Sequence, residues 1–364
     1  MLPGLTVVGS LVPTMAQPTV TEDHLVFTFD DPERRLARVS LDCDDAIDGR
    51  RRFRRTAAGW SLRLPRPFLN RVEYRLVLTS RGGDTNVRCD PDNAERVQTA
   101  FGERSVVSLP GYDPPAWVQR DPEPGSWRDL THTDADLGDL PIVLWAPAGL
   151  DDAAPAPLLV VHDGPEYERL AGLTTYAGAQ IEDGCIPSFR VALMQPVARD
   201  DWYAANPAYV AAELAAVDLV AETVATAGPL VVMGASLGGI TAILVGLAEP
   251  GRVGGVFAQS GSFFTSDLDE QESSYPYFEQ VSGAVLDLPA AVTSGPLVVG
   301  MTCGRMEENW QNNEAMAARL SGVGHLVELT CLDDLHNYTA WRDAFDPALT
   351  QVLRAVWGEP KMAT

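Results

Sequence analysis

From about Trp117 onward, short apolar runs alternate with segments of helical periodicity, and few folds accommodate this alternation. Several of the runs are apolar on both faces, which is typical of parallel strands buried between two layers of helices. The runs span residues 140–147, 156–164, 189–196, 228–234, 254–261, 295–302 and 325–332. Apolar residues recur at three- and four-residue steps over residues 209–226, 239–248, 313–320 and 339–356. This part of the chain therefore predicts an α/β fold with a mainly parallel sheet wrapped by helices.

The first third of the chain has a different pattern. Apolar and polar residues alternate with a period near two, as expected of antiparallel strands, over residues 24–31, 35–43, 59–65 and 71–80. The proline-rich segment 108–117 shows neither periodicity, which indicates a domain boundary. We therefore predict an all-β sandwich domain at residues 1–115 and an α/β domain at residues 116–364.

Composition excludes several classes of function. With 50 Asp and Glu residues against 27 Lys and Arg residues, the net charge of -23 would repel a nucleic-acid backbone. No stretch approaches the roughly 20 uninterrupted apolar residues of a membrane span. The 5 cysteines show no CxxC spacing, and residues 1–20 have no basic segment like that of a secretory signal. We therefore expect a soluble, cytoplasmic protein with reduced thiols that binds neither nucleic acid nor membrane.

The pentapeptide Gly234-Ala235-Ser236-Leu237-Gly238 lies between an apolar run and a helical segment. A serine in such a strand-to-helix turn has a strained backbone and an exposed hydroxyl, and small residues two positions away prevent a steric clash. The flanking strand and helix are the context that this motif requires. We therefore predict that Ser236 is a nucleophile, the alternative being an ordinary glycine-rich loop.

A serine nucleophile needs a base, and after this turn the acid and the histidine follow in that order. His325 and His336 are the histidines beyond Ser236. His325 begins an apolar run and is interpreted as structural, whereas His336 lies in a loop before the last predicted helix and is the predicted base. The loop after the run 295–302 offers Glu307 and Glu308 as the acid that orients the imidazole. We choose Glu307, with Glu308 as the alternative.

Acyl transfer also requires N–H groups that stabilise the developing oxyanion. One should be the backbone N–H of Leu237, which directly follows the nucleophile at a helix N-terminus. The second should come from the loop after residues 156–164, where the proline has no N–H, so the donor is Gly164 or Glu166. The adjacent His162 and Asp163 lack further spaced ligands. We therefore predict no metal site and no cofactor.

The segments CDPDNAE and SVVSLPGYDPPAW are followed in order by VVHDGPEY, GASLGG, CGRMEEN and LHNYTAWRDAF. Together they resemble the enterochelin esterase family, α/β-hydrolases that cleave the ester bonds of catecholate siderophore trilactones. The resemblance covers nearly the whole chain and implies a β-domain followed by an α/β-hydrolase domain. It implies that Ser236, Glu307 and His336 form a catalytic triad and that Arg199 meets an anionic or phenolic group of the substrate. We also expect Tyr167, in VVHDGPEY, to contact the substrate.

The sequence as a whole thus predicts a serine esterase that acts on a small-molecule ester or lactone, with a catecholate siderophore trilactone as the preferred substrate. One alternative is an esterase, acyltransferase or cyclase acting on another natural-product ester, because an alcohol or amine can replace water in the second step. An alternative of another class is a non-catalytic ligand-binding protein on a hydrolase fold. We expect the N-terminal domain to cover the mouth of the active site, because Trp60 and Phe68 lie near its predicted loops.

Overall fold

The computed structural model of the protein describes residues 18–288 and 295–358. The chain divides into two compact units at Tyr112 and Asp113. Most of the segment 1–20, on which the prediction of no secretory signal rests, lies outside the described residues. In the described part of the chain no helix is both long and apolar enough to cross a membrane.

The first unit consists of short antiparallel strands. They are β1 (Thr19–Val20), β2 (His24–Asp30), β3 (Leu36–Cys43), β4 (Arg54–Arg55), β5 (Gly59–Pro65), β6 (Arg71–Ser80), β7 (Thr85–Arg88), β8 (Arg96–Thr99) and β9 (Gly102–Ser108). One sheet has the order β1-β2-β5-β4, and the other has the order β3-β6-β9-β8 with β7 added beside β6. Phe27 of the first sheet and Tyr74 of the second meet edge to face at 5.0 Å, so the two sheets share an apolar core.

The second unit contains an eight-stranded sheet in the order β10-β11-β13-β12-β14-β15-β16-β17. Its strands are β10 (Ser126–Asp134), β11 (Gly138–Ala146), β12 (Leu158–Val161), β13 (Arg190–Met194), β14 (Leu230–Ala235), β15 (Val253–Gln259), β16 (Val298–Gly304) and β17 (Leu326–Leu332). The strands from β13 to β17 along this order run parallel, and β10 and β11 are antiparallel. The apolar runs beyond Trp117 predicted all of these strands except β10, whose residues are mostly exposed.

Helices cover both faces of this sheet. They are α1 (Gly164–Ala171), α2 (Leu173–Glu182), α3 (Arg199–Tyr203), α4 (Pro207–Thr223), α5 (Leu237–Ala248), α6 (Phe278–Leu286), α7 (Trp310–Val323), α8 (Tyr338–Asp343) and α9 (Thr350–Trp357). Single turns occur at Ala116–Gln119, Glu270–Ser274 and Phe345–Leu349. The continuous helix predicted over residues 339–356 is therefore wrong. It is broken at Asp346, whose φ of -115° and ψ of 118° reflect the exclusion of the residue before a proline from the helical region.

The apolar core of the second unit lies in two layers, one on each face of the sheet. Val160 and Val232 face one layer, whereas Val161 and Val231 face the other. This two-sided burial explains why the central strands are apolar along their whole length. The predicted fold class, an α/β sheet wrapped by helices and preceded by antiparallel β structure, is confirmed. The loops at the carboxyl ends of the parallel strands carry the polar residues described below.

Candidate active site

Ser236 occupies the sharp turn between β14 and α5. Its φ of 56° and ψ of -124° lie in a region that side chains other than glycine rarely adopt. A Cβ on Gly234 would lie 2.4 Å from the carbonyl oxygen of Gly238, so the turn closes only with glycine at this position. The backbone N–H of Ser236 donates to the carbonyl of Gln259 at 2.9 Å and ties the turn to β15. The Ser236 side chain is half-buried.

His336 and Glu307 form a close pair. Glu307 lies in the loop after β16, and His336 lies in the loop after β17. His336 Nδ1 is 2.8 Å from Glu307 Oε2, and the carboxylate is 2% exposed while the imidazole is 36% exposed. The neighbouring Glu308 is exposed. With Nδ1 donating to the carboxylate, Nε2 is the nitrogen left to accept a proton.

The other oxygen of Glu307 is also hydrogen-bonded. Glu307 Oε1 accepts the backbone N–H of Gly304 at 2.7 Å and the hydroxyl of Ser260 at 2.9 Å. Ser260 Oγ in turn accepts the indole N–H of Trp341 at 3.0 Å. Donors on both oxygens thus fix the carboxylate in place, with Oε2 accepting the hydrogen bond from His336 Nδ1.

The loop after β15 connects the nucleophile to this pair. Ser262 Oγ lies 3.3 Å from Ser236 Oγ, and the Ser262 N–H donates to the Ser236 carbonyl at 2.9 Å. Within the described residues Ser236 Oγ is hydrogen-bonded to Ser262, and no hydrogen bond joins it to His336. Catalytic hydrogen bonds often become short only when substrate is bound. The carboxyl-terminal edge of the sheet therefore carries Ser236, Ser262 and His336, which follow β14, β15 and β17.

Two side-chain amides fix the same loop. Asn313 accepts the N–H of Gly261 at 3.1 Å and donates to its carbonyl at 2.9 Å. Asn309 Nδ2 donates to the carbonyl of Ser260 at 3.2 Å and lies 3.5 Å from His336 Nδ1. The sequence alone does not indicate these contacts of the two asparagines and of Ser260. Their contacts join segments about 50 positions apart, and no local pattern in the sequence encodes such pairs.

The predicted oxyanion donors begin two helices. Leu237 is the first residue of α5 and Gly164 is the first residue of α1, so neither N–H has an acceptor inside its own helix. A Cβ on Gly238 would lie 3.1 Å from His162 Cβ and 3.7 Å from Asp163 Oδ2. The two helix starts therefore pack against each other near the nucleophile.

Arg199 and Tyr167 lie beside the loop that carries Gly164. Arg199 donates from Nε and Nη2 to the carboxylate of Asp163 at 2.8–3.1 Å, and its side chain remains 37% exposed. Tyr167 is fully buried, and its hydroxyl donates to Gln259 Oε1 at 2.9 Å. Arg199 is thus accessible to a ligand, whereas Tyr167 supports the loop from beneath.

The remaining histidines of interest are buried. His325 Nδ1 accepts the N–H of Leu297 at 3.1 Å, and burial lowers the pKa of His325 below its ordinary value. His162 pairs with Glu213 at 2.8 Å with both side chains fully buried. Across the described residues no group of three or more His, Cys, Asp or Glu side chains has a geometry that could hold a metal ion.

A strained serine between strand and helix, a histidine–carboxylate pair after the last strands, and N–H groups at adjacent helix starts are the features of an α/β-hydrolase. The family model described as putative esterase matches residues 138–352, which is more than half of the chain. The chain therefore belongs to this esterase family, and the prediction of an esterase is confirmed at the level of the family.

Individual relatives agree with this assignment. The iron(III) enterobactin esterase of Dickeya dadantii (strain 3937) is 28% identical over 212 residues, which is 53% of this chain and 46% of that protein. The alignment thus spans less than half of the curated relative. The enterobactin esterase of Shigella flexneri, solved in the presence of enterobactin, has 20% identity and a TM-score of 0.73, covering 93% of this chain and 94% of that chain. The ferric enterobactin esterase of Salmonella typhimurium has 19% identity and a TM-score of 0.74, covering 92% and 93%. The predicted resemblance to the enterochelin esterases is confirmed, and the solved structures confirm the fold.

Proposed function

We propose that this protein is a serine esterase in which Ser236, His336 and Glu307 act as a catalytic triad. The observation that carries the proposal is the 2.8 Å contact between His336 Nδ1 and Glu307 Oε2, at the same sheet edge as the strained Ser236. A carboxylate on Nδ1 fixes the imidazole tautomer and stabilises the imidazolium that forms during attack. No cofactor takes part in this chemistry.

The reaction follows from this arrangement. Ser236 Oγ attacks the ester carbonyl while His336 Nε2 takes the hydroxyl proton and then gives it to the leaving alcohol. Negative charge on the carbonyl oxygen is stabilised by the N–H groups of Leu237 and Gly164. Water then attacks the acyl-enzyme, and the same proton transfers run again to release the acid and restore Ser236.

The substrate that we propose is a catecholate siderophore trilactone or one of its linear ester products. Support comes from the curated relative, named as an iron(III) enterobactin esterase, and from the Shigella flexneri structure solved in the presence of enterobactin. Arg199, whose guanidinium is partly exposed beside the proposed oxyanion loop, is suited to an anionic or phenolic oxygen. Iron would enter only as part of the substrate.

Turnover of the trilactone, with and without iron, beside p-nitrophenyl acetate and butyrate tests this proposal in wild type and Ser236→Ala. Rapid cleavage of the trilactone that depends on Ser236 is the expected result. Cleavage of the simple esters alone would keep the triad and assign another natural-product ester. Transfer to an added alcohol or amine, detected in the products, would identify an acyltransferase or cyclase, and a lack of any Ser236-dependent reaction would favour a binding protein.

Two further predictions from the sequence belong to this proposal. One is that the N-terminal domain, residues 1–115, covers the active-site mouth. Within its own unit Phe68 is 86% exposed, whereas Trp60 is buried and donates its indole N–H to Asp31.

The other prediction from the sequence is a cytoplasmic location, in which the intact siderophore would have to be imported before it is cleaved.

A further inference from the structure

His162 is a fully buried histidine with an acceptor on each ring nitrogen. Nδ1 lies 3.0 Å from the carbonyl oxygen of Met233, and Nε2 lies 2.8 Å from Glu213 Oε2. A carbonyl cannot donate a hydrogen bond, so Nδ1 must carry a proton. The contact between Nε2 and Glu213 needs a second proton, which can lie on the imidazole or on the carboxyl group. Because an imidazole is more basic than a carboxylate, we assign this proton to His162 and describe the two residues as a buried ion pair.

The ion pair lies directly beneath the two helix starts that provide the proposed oxyanion donors. His162 is the residue after β12, its N–H donates to the Met233 carbonyl at 2.9 Å, and Gly164 follows two positions later. A Cβ on Gly238 would lie 3.1 Å from His162 Cβ, so the nucleophile turn rests on this side chain. Any shift of His162 would move the loop that carries Gly164 relative to Leu237.

The groups around the pair leave it without another partner of opposite charge. Tyr203 contacts the imidazole edge to face at 5.2 Å, and Tyr209 lies 6.3 Å from it. Asp163, the next residue, is paired with Arg199 and accepts no proton from His162. Glu213 Oε1 is buried and has no hydrogen-bond partner among the described residues. The attraction of Glu213 therefore acts mainly on His162.

We propose that the ion pair of His162 and Glu213 positions the proposed oxyanion loop, so that esterase activity requires the pair to keep its proton. His162 is a positioning residue, because it acts through the Gly164 N–H and does not touch the substrate. This inference rests on the proposed esterase function. Burial lowers the pKa of His162, but Glu213 and the Met233 carbonyl raise it above its ordinary value, so the pair keeps its proton to a higher pH than a free imidazole does.

Glu213→Gln removes the charge of Glu213 and keeps its shape. The amide can still donate a hydrogen bond to a neutral Nε2, so the variant tests the charge and not the contact. The matched control is Asp218→Asn. Asp218 lies on α4, as Glu213 does, and the change removes its surface ion pair with Arg252. For p-nitrophenyl acetate we expect Glu213→Gln to lower kcat about ten- to hundredfold with little change in KM. The control should match wild type. We also expect kcat of wild type to fall as pH rises through the raised pKa of His162, and we expect this fall to be absent in Glu213→Gln.

Nuclear magnetic resonance of histidine ring nitrogens tests the pair without relying on activity. The chain has 5 histidines, so single replacements of the other residues assign the His162 signals. A His162 ring that stays protonated above the ordinary histidine pKa of about 6.5 is the expected result, and a ring that is neutral there would overturn the inference. A folded Glu213→Gln protein with wild-type kcat would overturn it too. Wild type that neither hydrolyses esters nor reacts at Ser236 would instead contradict the proposed function on which this inference rests.

Discussion

His336 Nδ1 lies 2.8 Å from Glu307 Oε2 although the two residues are 29 positions apart in the chain. The contact follows from the sheet, because β16 and β17 are adjacent and parallel, with Gly304 paired to Leu332 at their carboxyl ends. The loops that leave these strands therefore emerge side by side. A buried carboxylate on Nδ1 fixes the tautomer of the imidazole and leaves Nε2 facing outward as the proton acceptor.

Replacing Glu307 and Glu308 one at a time shows which of the two carboxylates orients His336. We expect Glu307→Gln to lower kcat for p-nitrophenyl acetate by on the order of a hundred- to ten-thousandfold, because the amide cannot stabilise the imidazolium. Glu308→Gln, at the exposed next position, is the control and should change kcat less than threefold. Initial rates with purified proteins give both values. Equal losses in the two variants would contradict the assignment of Glu307.

The turn at Ser236 should not tolerate a side chain at position 234. In Gly234→Ala the new Cβ would lie 2.4 Å from the Gly238 carbonyl oxygen, and backbone cannot move aside without opening the turn. We expect the free energy of unfolding to fall by at least about 2 kcal/mol and the esterase activity to be lost. Gly251→Ala is the control, since nothing lies within 4 Å of its new Cβ. Urea denaturation gives the stability of the two variants, and initial rates with p-nitrophenyl acetate give their activity. A Gly234→Ala protein as stable and as active as the control would contradict the prediction.

Ser260→Ala should destabilise the fold through a partner left unsatisfied. The change removes the acceptor of the Trp341 indole N–H and one donor to Glu307. Because a buried unpaired donor costs about 1–3 kcal/mol, we expect the free energy of unfolding to fall by that amount. Ser262→Ala, which removes only a 3.3 Å contact with the half-buried Ser236, should cost less. Equal losses of stability in the two variants would show that the unpaired indole N–H of Trp341 is not the cause of the destabilisation.

The ion pair of His162 and Glu213 also predicts a pH dependence of stability. A histidine whose pKa is raised by folding stabilises the protein fully below its unfolded pKa of about 6.5, and this contribution is lost as pH rises through the folded pKa. The stability of wild type relative to Glu213→Gln should therefore decrease from pH 6.5 upward. Unfolding free energies of both proteins at several pH values measure this difference, and a difference that grows with pH would contradict the pair.

The parts of this site that sequence predicted are those written in local patterns. The turn around Ser236 is a contiguous pentapeptide between strand and helix, and His336 follows from the chain order of serine, acid and histidine. The strands were recognisable because burial on both faces requires apolar residues throughout. The pentapeptide and the apolar runs are local signals, whereas His336 is identified by its place in the order of residues along the chain.

What the sequence did not predict depends on contacts between distant segments. Ser260 reaches Glu307 across 47 positions, and Arg199 reaches Asp163 across 36. Tyr167 was expected to contact the substrate, yet its burial beneath the loop depends on packing against α8 and on Gln259. Helical periodicity continues on both sides of the proline, so this periodicity does not reveal the break at Asp346.

Reaction with a fluorophosphonate probe, followed by mass spectrometry of the modified peptide, tests whether Ser236 is the nucleophile. We expect one adduct per chain on Ser236, and a much slower reaction in His336→Ala because the base is gone. The peptide must be resolved from that of Ser260 and Ser262, the other hydroxyls of this edge. Modification at either of those residues, or no modification of folded wild-type protein, would contradict the assignment of Ser236 as the nucleophile.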